Sequence, residues 1–252
     1  VKARAALLVV SLCTALPAQQ DKPAQQDKQA QQEKDGPAPV PAPAAQVERA
    51  QTLLRAHSER CKNVKVVLAD YEQRRTTALV KEPLVSKGQF LFVREPAAVL
   101  FFAQEPRVSI VRLTEKTYEV HRPQKQQLER FYLDGPELAQ GLFAAVGGDA
   151  DRLLRDFVVV ACADGPADSG TVVVRLVAKD AAVRARVREL VVTFAAKDGG
   201  LAAVGYRDHS GDLVEIVLRA LRLDPKDAPS ALLEVPKGTT IVEHRAEPPK
   251  DK

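Results

Sequence analysis

Four histidines, His57, His121, His209 and His244, are the side chains of this 252-residue chain best suited to acid–base or metal chemistry. No two of them stand at a ligand spacing such as His-x3-His, so the sequence carries no metal motif. His209 draws notice because Asp208 and Asp212 flank it, as a hydrogen-bonded acid–base trio would require. The run His209-Ser-Gly-Asp212 is also the signature of a hairpin turn, where Ser, Gly and Asp are favoured for their backbone chemistry. The turn is the expected reading. Gly-x-Ser-x-Gly, Walker A and Rossmann glycine patterns are absent from the sequence, and Gly199-Gly200 reads as a hairpin tip. The expectation is a protein that is not an enzyme and uses neither metal nor cofactor.

Cysteine and arginine offer two further kinds of chemistry. Cys61 and Cys162 remain once a leader containing Cys13 is removed. In an oxidising compartment they make a possible disulfide; the other reading is two separate small hydrophobes. Arg94 continues the alternation Phe90, Phe92, Arg94, which puts a guanidinium at the end of an apolar face. One reading is a rim arginine that snorkels to solvent. The other is a guanidinium that bonds the backbone carbonyls of a lid and holds it shut over a cavity.

Composition narrows the rest. The chain has no Met and no Trp, eight Phe and four Tyr, yet 45% of it is hydrophobic, so its apolar content is mostly Ala, Val and Leu. That is ample core for a chain of this length. Seventeen Pro without a Gly-X-Y period exclude collagen, and three Cys exclude a disulfide scaffold. A formal charge of +4, with basic residues not clustered among aromatics, argues against nucleic acid as a partner.

The N-terminal residues read as targeting sequence. Lys2 and Arg4 precede the apolar run Ala5–Val10, and small residues follow, so 1–18 is expected to be a secretory signal peptide. Cleavage is placed after Ala18, with Ala15 the alternative. Leu12 is too large for a lipobox that would acylate Cys13. Residues 19–45 are low-complexity: Asp21-Lys-Pro-Ala-Gln-Gln returns as Asp27-Lys-Gln-Ala-Gln-Gln and gives way to Pro37-Ala-Pro-Val-Pro-Ala-Pro43. Such a stretch buries too little apolar surface to offset its chain entropy, so it is expected to be a disordered arm. The tail 247–252 is expected to be disordered too, leaving 46–246 as the folded domain.

Within that domain Val47, Ala50, Leu53, Leu54 and His57 recur at helical spacing, predicting a helix over 46–60. The period then changes to two. Strands are expected from Val64 to Thr76 and over 89–94, 98–102, 108–113, 117–121 and 126–133, with turns at Glu95-Pro96 and Glu105-Pro106. Leu138, Leu142, Phe143 and Val146 mark a helix closed by Gly147-Gly148, and Asp149 is placed to cap a second. Strands resume over 157–162, 171–178, 187–195, 201–206 and 213–223, with one more at 239–244. A single antiparallel sheet of about eleven strands must curl or close. The helices are too few to cover both faces, so the expected solution is a curved sheet that wraps one face around them.

Four motifs in register resemble those of the periplasmic outer-membrane lipoprotein carrier (LolA-type) family. They are Ala69-Asp-Tyr-Glu-Gln73, Gly88-Gln-Phe-Leu-Phe-Val-Arg-Glu-Pro96, Tyr118-Glu-Val-His-Arg-Pro123 with Gln126-Gln127, and Leu232-Leu-Glu-Val-Pro-Lys-Gly-Thr-Thr-Ile241. Arg94 lies one residue earlier than that family's lid-holding arginine, and Tyr118 takes the place of a usual Trp. The resemblance implies a mainly β (α+β) fold: a half-open curved antiparallel β-barrel with helices covering a hydrophobic cavity. It implies a periplasmic carrier of acylated lipoproteins or lipids. Its partners would be an inner-membrane lipoprotein-releasing ABC transporter and an outer-membrane receptor. An envelope sensor or receptor module of the same fold, binding lipid or lipoprotein and a protein partner, is the alternative. Arg94 becomes the lid-latch candidate. The expected acyl cavity is lined by Leu68, Phe90, Phe92, Leu100, Phe102 and Ile110 from the first strands, with Phe101 as a further anchor. Leu128, Leu142, Phe143, Ile216 and Leu218 complete it. Elementary energetics agree: a triacylated lipoprotein exposes roughly 40 methylenes, on the order of 30 kcal/mol in water, so it leaves a membrane only into a protein cavity.

Overall fold

The computed structural model describes residues 38–78, 80–133, 137–185, 187–208, 210–229 and 235–244. The signal peptide expected at 1–18, most of the arm, the tail 247–252 and His209 lie outside these residues. So does part of the closing motif after Ala231.

Helix α1 spans Ala44–Cys61. Its buried residues Ala50, Leu54, His57 and Cys61 fall on one stripe, as a 3.6-residue period requires. Six strands follow: β1 Val66–Thr76, β2 Leu84–Val93, β3 Ala98–Glu105, β4 Ser109–Thr114, β5 Thr117–Arg122 and β6 Gln127–Tyr132. Helices α2 (Glu137–Gly147) and α3 (Ala150–Asp156) interrupt the strand run. Gly148 at φ +72° turns the chain out of α2, and a Cβ there would stand 2.7 Å from that of Cys61, so the position needs glycine on two counts. The Asp149 side chain accepts from Arg152 N–H at 2.9 Å and caps α3. Then come β7 Phe157–Asp164, β8 Thr171–Ala178, the short helix α4 Ala181–Arg184, β9 Glu189–Ala195, β10 Leu201–Arg207, β11 Leu213–Leu223 and β12 Thr240–His244.

The strands make one twelve-stranded sheet in the order β12-β6-β5-β4-β3-β2-β1-β11-β10-β9-β8-β7. The fold is therefore mainly β, a curved sheet that does not close, with β12 and β7 at its two edges. All pairings are antiparallel except β12 with β6, which is parallel. β1–β6 and β7–β11 are each an antiparallel meander, and the two join through β1 and β11, so β6 and β7 lie far apart. β12 pairs with β6, six strands away from β11. Asp224 secures the departure: its carboxylate accepts from the N–H groups of Lys65 and Val66, both at 2.8 Å.

The helices cover one face, here called inner. Its residues form one apolar cluster that runs through both halves of the sheet, from Tyr118 and Phe131 through Phe101, Phe90 and Tyr71 to Ile216, Val204, Val192 and Val174. His57 of α1 meets Phe194 edge-on at 5.9 Å, and Phe143 of α2 lies 6.2 Å from Phe92. A second, smaller cluster, Leu68, Leu91, Ala98 and Leu100, is buried on the opposite, outer face of β1–β3.

At the β7 edge, Ala42 just before α1 and Gln46 in its first turn satisfy ladder groups. Ala42 N–H donates to Val159 O at 2.9 Å, and Cys162 N–H donates to the Gln46 side chain at 3.0 Å. An edge blunted in this way is a poor template for pairing with another chain.

Candidate functional site

The residues expected to line a single cavity are divided by the sheet. Phe90, Phe92, Phe143, Ile216 and Leu218 are buried in the inner cluster, and Leu142 packs against it. Leu68 and Leu100 lie in the outer cluster, with Phe102 packed on it. Cross-strand register carries Phe102 to Ile110, His121 and Leu128, so these share the outer face. The reason is the two-residue period: Phe102 and Leu100 pair with Gln89 and Leu91, not with Phe90 and Phe92. The inner partners of Phe90 are Phe101 and Ala69, and those of Phe92 are Val99 and Val67. Phe101 thus lies on the inner face and Phe102 on the outer. Tyr71, Val111 and Tyr118 complete this surface, and only cross-strand register assigns them to it. Tyr71 and Phe90 each meet Phe101 edge-on, at 5.2 and 5.3 Å.

Arg94 stands where β2 ends, beneath the helices. Its Nε donates to Val64 O at 2.7 Å, and its Nη2 donates to Cys61 O at 2.9 Å and to Gly147 O at 2.8 Å. One guanidinium therefore joins the ends of α1 and α2 to the sheet. All three acceptors are helix-end or loop carbonyls, groups that lack an intrahelical donor. A Cβ on Gly147 would approach Phe92 to 2.9 Å, so glycine there lets α2 sit close on the inner face.

Cys61 and Cys162 are both buried and both free. Cys61 sits at the end of α1 beside His57, at 3.8 Å, while Cys162 lies on the edge strand β7. Burial pushes both thiols up from their ordinary value, which disfavours the thiolate form. Burial likewise lowers the pKa of His57, against hydrogen bonds to the backbone at Ala145 and Val146 that act to raise it.

The acidic turn before β11 is occupied structurally. Asp212 is buried and accepts Arg75 Nη2 at 2.8 Å, while its own N–H donates to Asp208 at 3.0 Å. Ser210 Oγ donates to the same Asp208 oxygen at 2.6 Å. Among the described residues no group of three His, Cys, Asp or Glu is placed to hold a metal ion. No helix there is long and apolar enough to cross a membrane.

No protein-family model matches the chain, and no curated protein does. Solved structures do match. One is an uncharacterized conserved protein from Thermus thermophilus, 12% identical with a TM-score of 0.44, covering 78% of this chain and 99% of that one. Another is the LolA superfamily protein NE2245 from Nitrosomonas europaea, 14% identical with a TM-score of 0.38, covering 73% and 97%. A third is the MucA/MucB complex of Pseudomonas aeruginosa, 13% identical with a TM-score of 0.39, covering 73% and 60%. The family that the sequence motifs resemble is thus among those represented. None of these likenesses is close enough to carry a function to this chain.

Proposed function

We propose that this chain is a periplasmic carrier, exported by its signal peptide, that takes the acyl chains of lipoproteins or lipids between the inner face of its sheet and the helices. It then passes them toward the outer membrane. One observation carries the reading. A continuous apolar inner surface is closed by helices that a single side chain, Arg94, ties to the sheet through three backbone carbonyls. Displacing the helices exposes that surface to an acyl chain, and the three bonds set how readily they move. The Ala, Val and Leu lining adapts to flexible chains and needs no catalytic group. The inner-membrane lipoprotein-releasing transporter is the donor in this scheme and an outer-membrane receptor the acceptor.

The test is direct. Protein recovered from a bacterial periplasm is extracted and its lipids weighed by mass spectrometry, alongside a transfer assay from lipoprotein-bearing membranes. Bound acyl chains and transfer are expected. Absence of both overturns the reading. Arg94→Leu removes all three bonds, each worth about 1.5–3 kcal/mol as a charge-assisted contact. It is expected to speed amide exchange at the ends of α1 and α2 and to alter acyl retention, with the sheet amides unchanged.

A further inference from the structure

The outer face of β8–β11 carries a cleft of about 580 Å³ that the inner-face reading does not use. Its origin is local. On β10 the outward positions are Ala203 and Gly205, flanked in register by Thr193 and Val191 on β9 and by Val217 and Glu215 on β11. A Cβ at Gly205 would stand 2.4 Å from Val214 O, so a side chain there is excluded. A strand of small residues between strands of larger ones leaves a trough. Val173, Val191 and Leu213 give it apolar sides, and its volume lies within the range of about 300–1,000 Å³ typical of small-ligand sites.

One end of the trough is cationic and rigid. The Glu189 carboxylate is buried and divides its oxygens between two arginines. Arg175 donates to Oε2 through Nε at 2.8 Å and Nη2 at 2.6 Å, and Arg207 Nε reaches Oε1 at 3.3 Å. Arg207 Nη1 is further held by Gly211 O at 3.1 Å. Nη1 of Arg175 and Nη2 of Arg207 have no partner among the described residues, and both side chains line the cleft. Arg188 joins them, so three cations face the two carboxylates of Glu189 and Glu215. Forks already fixed by a buried carboxylate lose little entropy on taking another anion, which is the geometry of bidentate oxyanion recognition.

We propose that this cleft is a second binding site, for a single-tailed amphiphile with a phosphate or carboxylate head. The tail lies over Ala203 and Gly205, and the head sits between Arg175 and Arg207. The site is on the opposite side of the sheet from the acyl surface under the helices, so it stands or falls independently of the carrier reading.

The experiment titrates the full chain, with Val, Leu and Ile methyls isotopically labelled, with octyl phosphate below its micelle concentration. Parallel arms use octanoate, inorganic phosphate and octyl glucoside. Octyl phosphate or octanoate is expected to shift the methyls of Val173, Val191 and Leu213, while Val174, Val192 and Ile216 on the inner face stay still. Losing one charge-assisted contact should weaken binding about tenfold in Arg207→Gln, and Ala203→Leu should block it by filling the trough. Arg175→Gln replaces either variant if its thermal melt shows loss of fold. Four results overturn the proposal: shifts confined to inner-face methyls, unchanged affinity in a folded Arg207→Gln or Arg175→Gln, inorganic phosphate binding as tightly as octyl phosphate, or octyl glucoside doing so.

Discussion

The two halves of the sheet build the same device on their outer faces and finish it differently. In β4–β6, Glu119 lies between Arg112 and Arg130, and Arg130 goes on to Glu243 of β12 at 3.2 Å. Two arginines meet two carboxylates, and the arginine side chains are 23% and 22% exposed. In β8–β10, Glu189 lies between Arg175 and Arg207, but those side chains are 51% and 37% exposed and face a cleft. The apolar residues follow suit. Leu68, Leu91 and Leu100 are 3%, 1% and 0% exposed on the outer face of β1–β3, whereas Val173 and Val191 on that of β8 and β9 are only half-buried. The lesson is that one sheet can bury its outer face in one half and leave it open to solvent in the other. The inner face carries the apolar cluster in both halves and does not distinguish them.

That contrast can be broken by mutation. Leu100→Ala is expected to lower the unfolding free energy by about 3 kcal/mol in urea titration, because a fully buried leucine leaves a cavity. Glu119→Gln takes a buried charge from between two half-buried guanidinium groups and should remove about 2–3 kcal/mol. Glu189→Gln should remove only about 1 kcal/mol, since water already solvates its arginines. Equal losses at Glu119 and Glu189 would erase the difference between the halves.

The covered outer face also holds His121, whose pKa burial lowers from its ordinary 6.5. In the unfolded chain the ring takes a proton below pH 6.5, while in the folded chain it resists. Stability is therefore full above about pH 6.5 and falls as pH drops toward the depressed folded value. The loss at pH 6 should stay under about 1 kcal/mol. His121→Gln should flatten part of the slope in denaturation at pH 8 and pH 6, and His57, lowered by burial under the helices, contributes with the same sign. The smallest effect is expected at Val173→Ala, within about 0.5 kcal/mol. A larger loss there would mean that the second half is covered after all.

Much of the fold was legible from periodicity. The helix predicted over 46–60 forms over Ala44–Cys61, and the strand pattern from Val64 onward appears as β1–β11 with ends shifted by a few residues. The cap at Asp149 and the glycine exit from α2 follow from local backbone chemistry, so they could be read residue by residue. The segment at 239–244 was visible as a strand, but nothing local set its parallel pairing with β6. The candidate lining was legible as apolar and not as one surface. Phe101 and Phe102 are adjacent and equally apolar, yet they face opposite ways, and only their cross-strand partners decide which faces the helices.

The sequence by itself determined the element types, the turns, the apolar alternation and the placing of Arg94 at the end of an apolar face, because each depends on neighbours a few residues away. The tertiary structure decided which face each alternation buried, that Arg94 reaches Cys61, Val64 and Gly147, and that Glu189 holds two arginines at an open cleft. Those facts depend on register between strands and on contacts between residues up to 53 positions apart around Arg94. A period-two pattern is unchanged when every side chain is exchanged between faces, so only pairing with the rest of the sheet makes the choice.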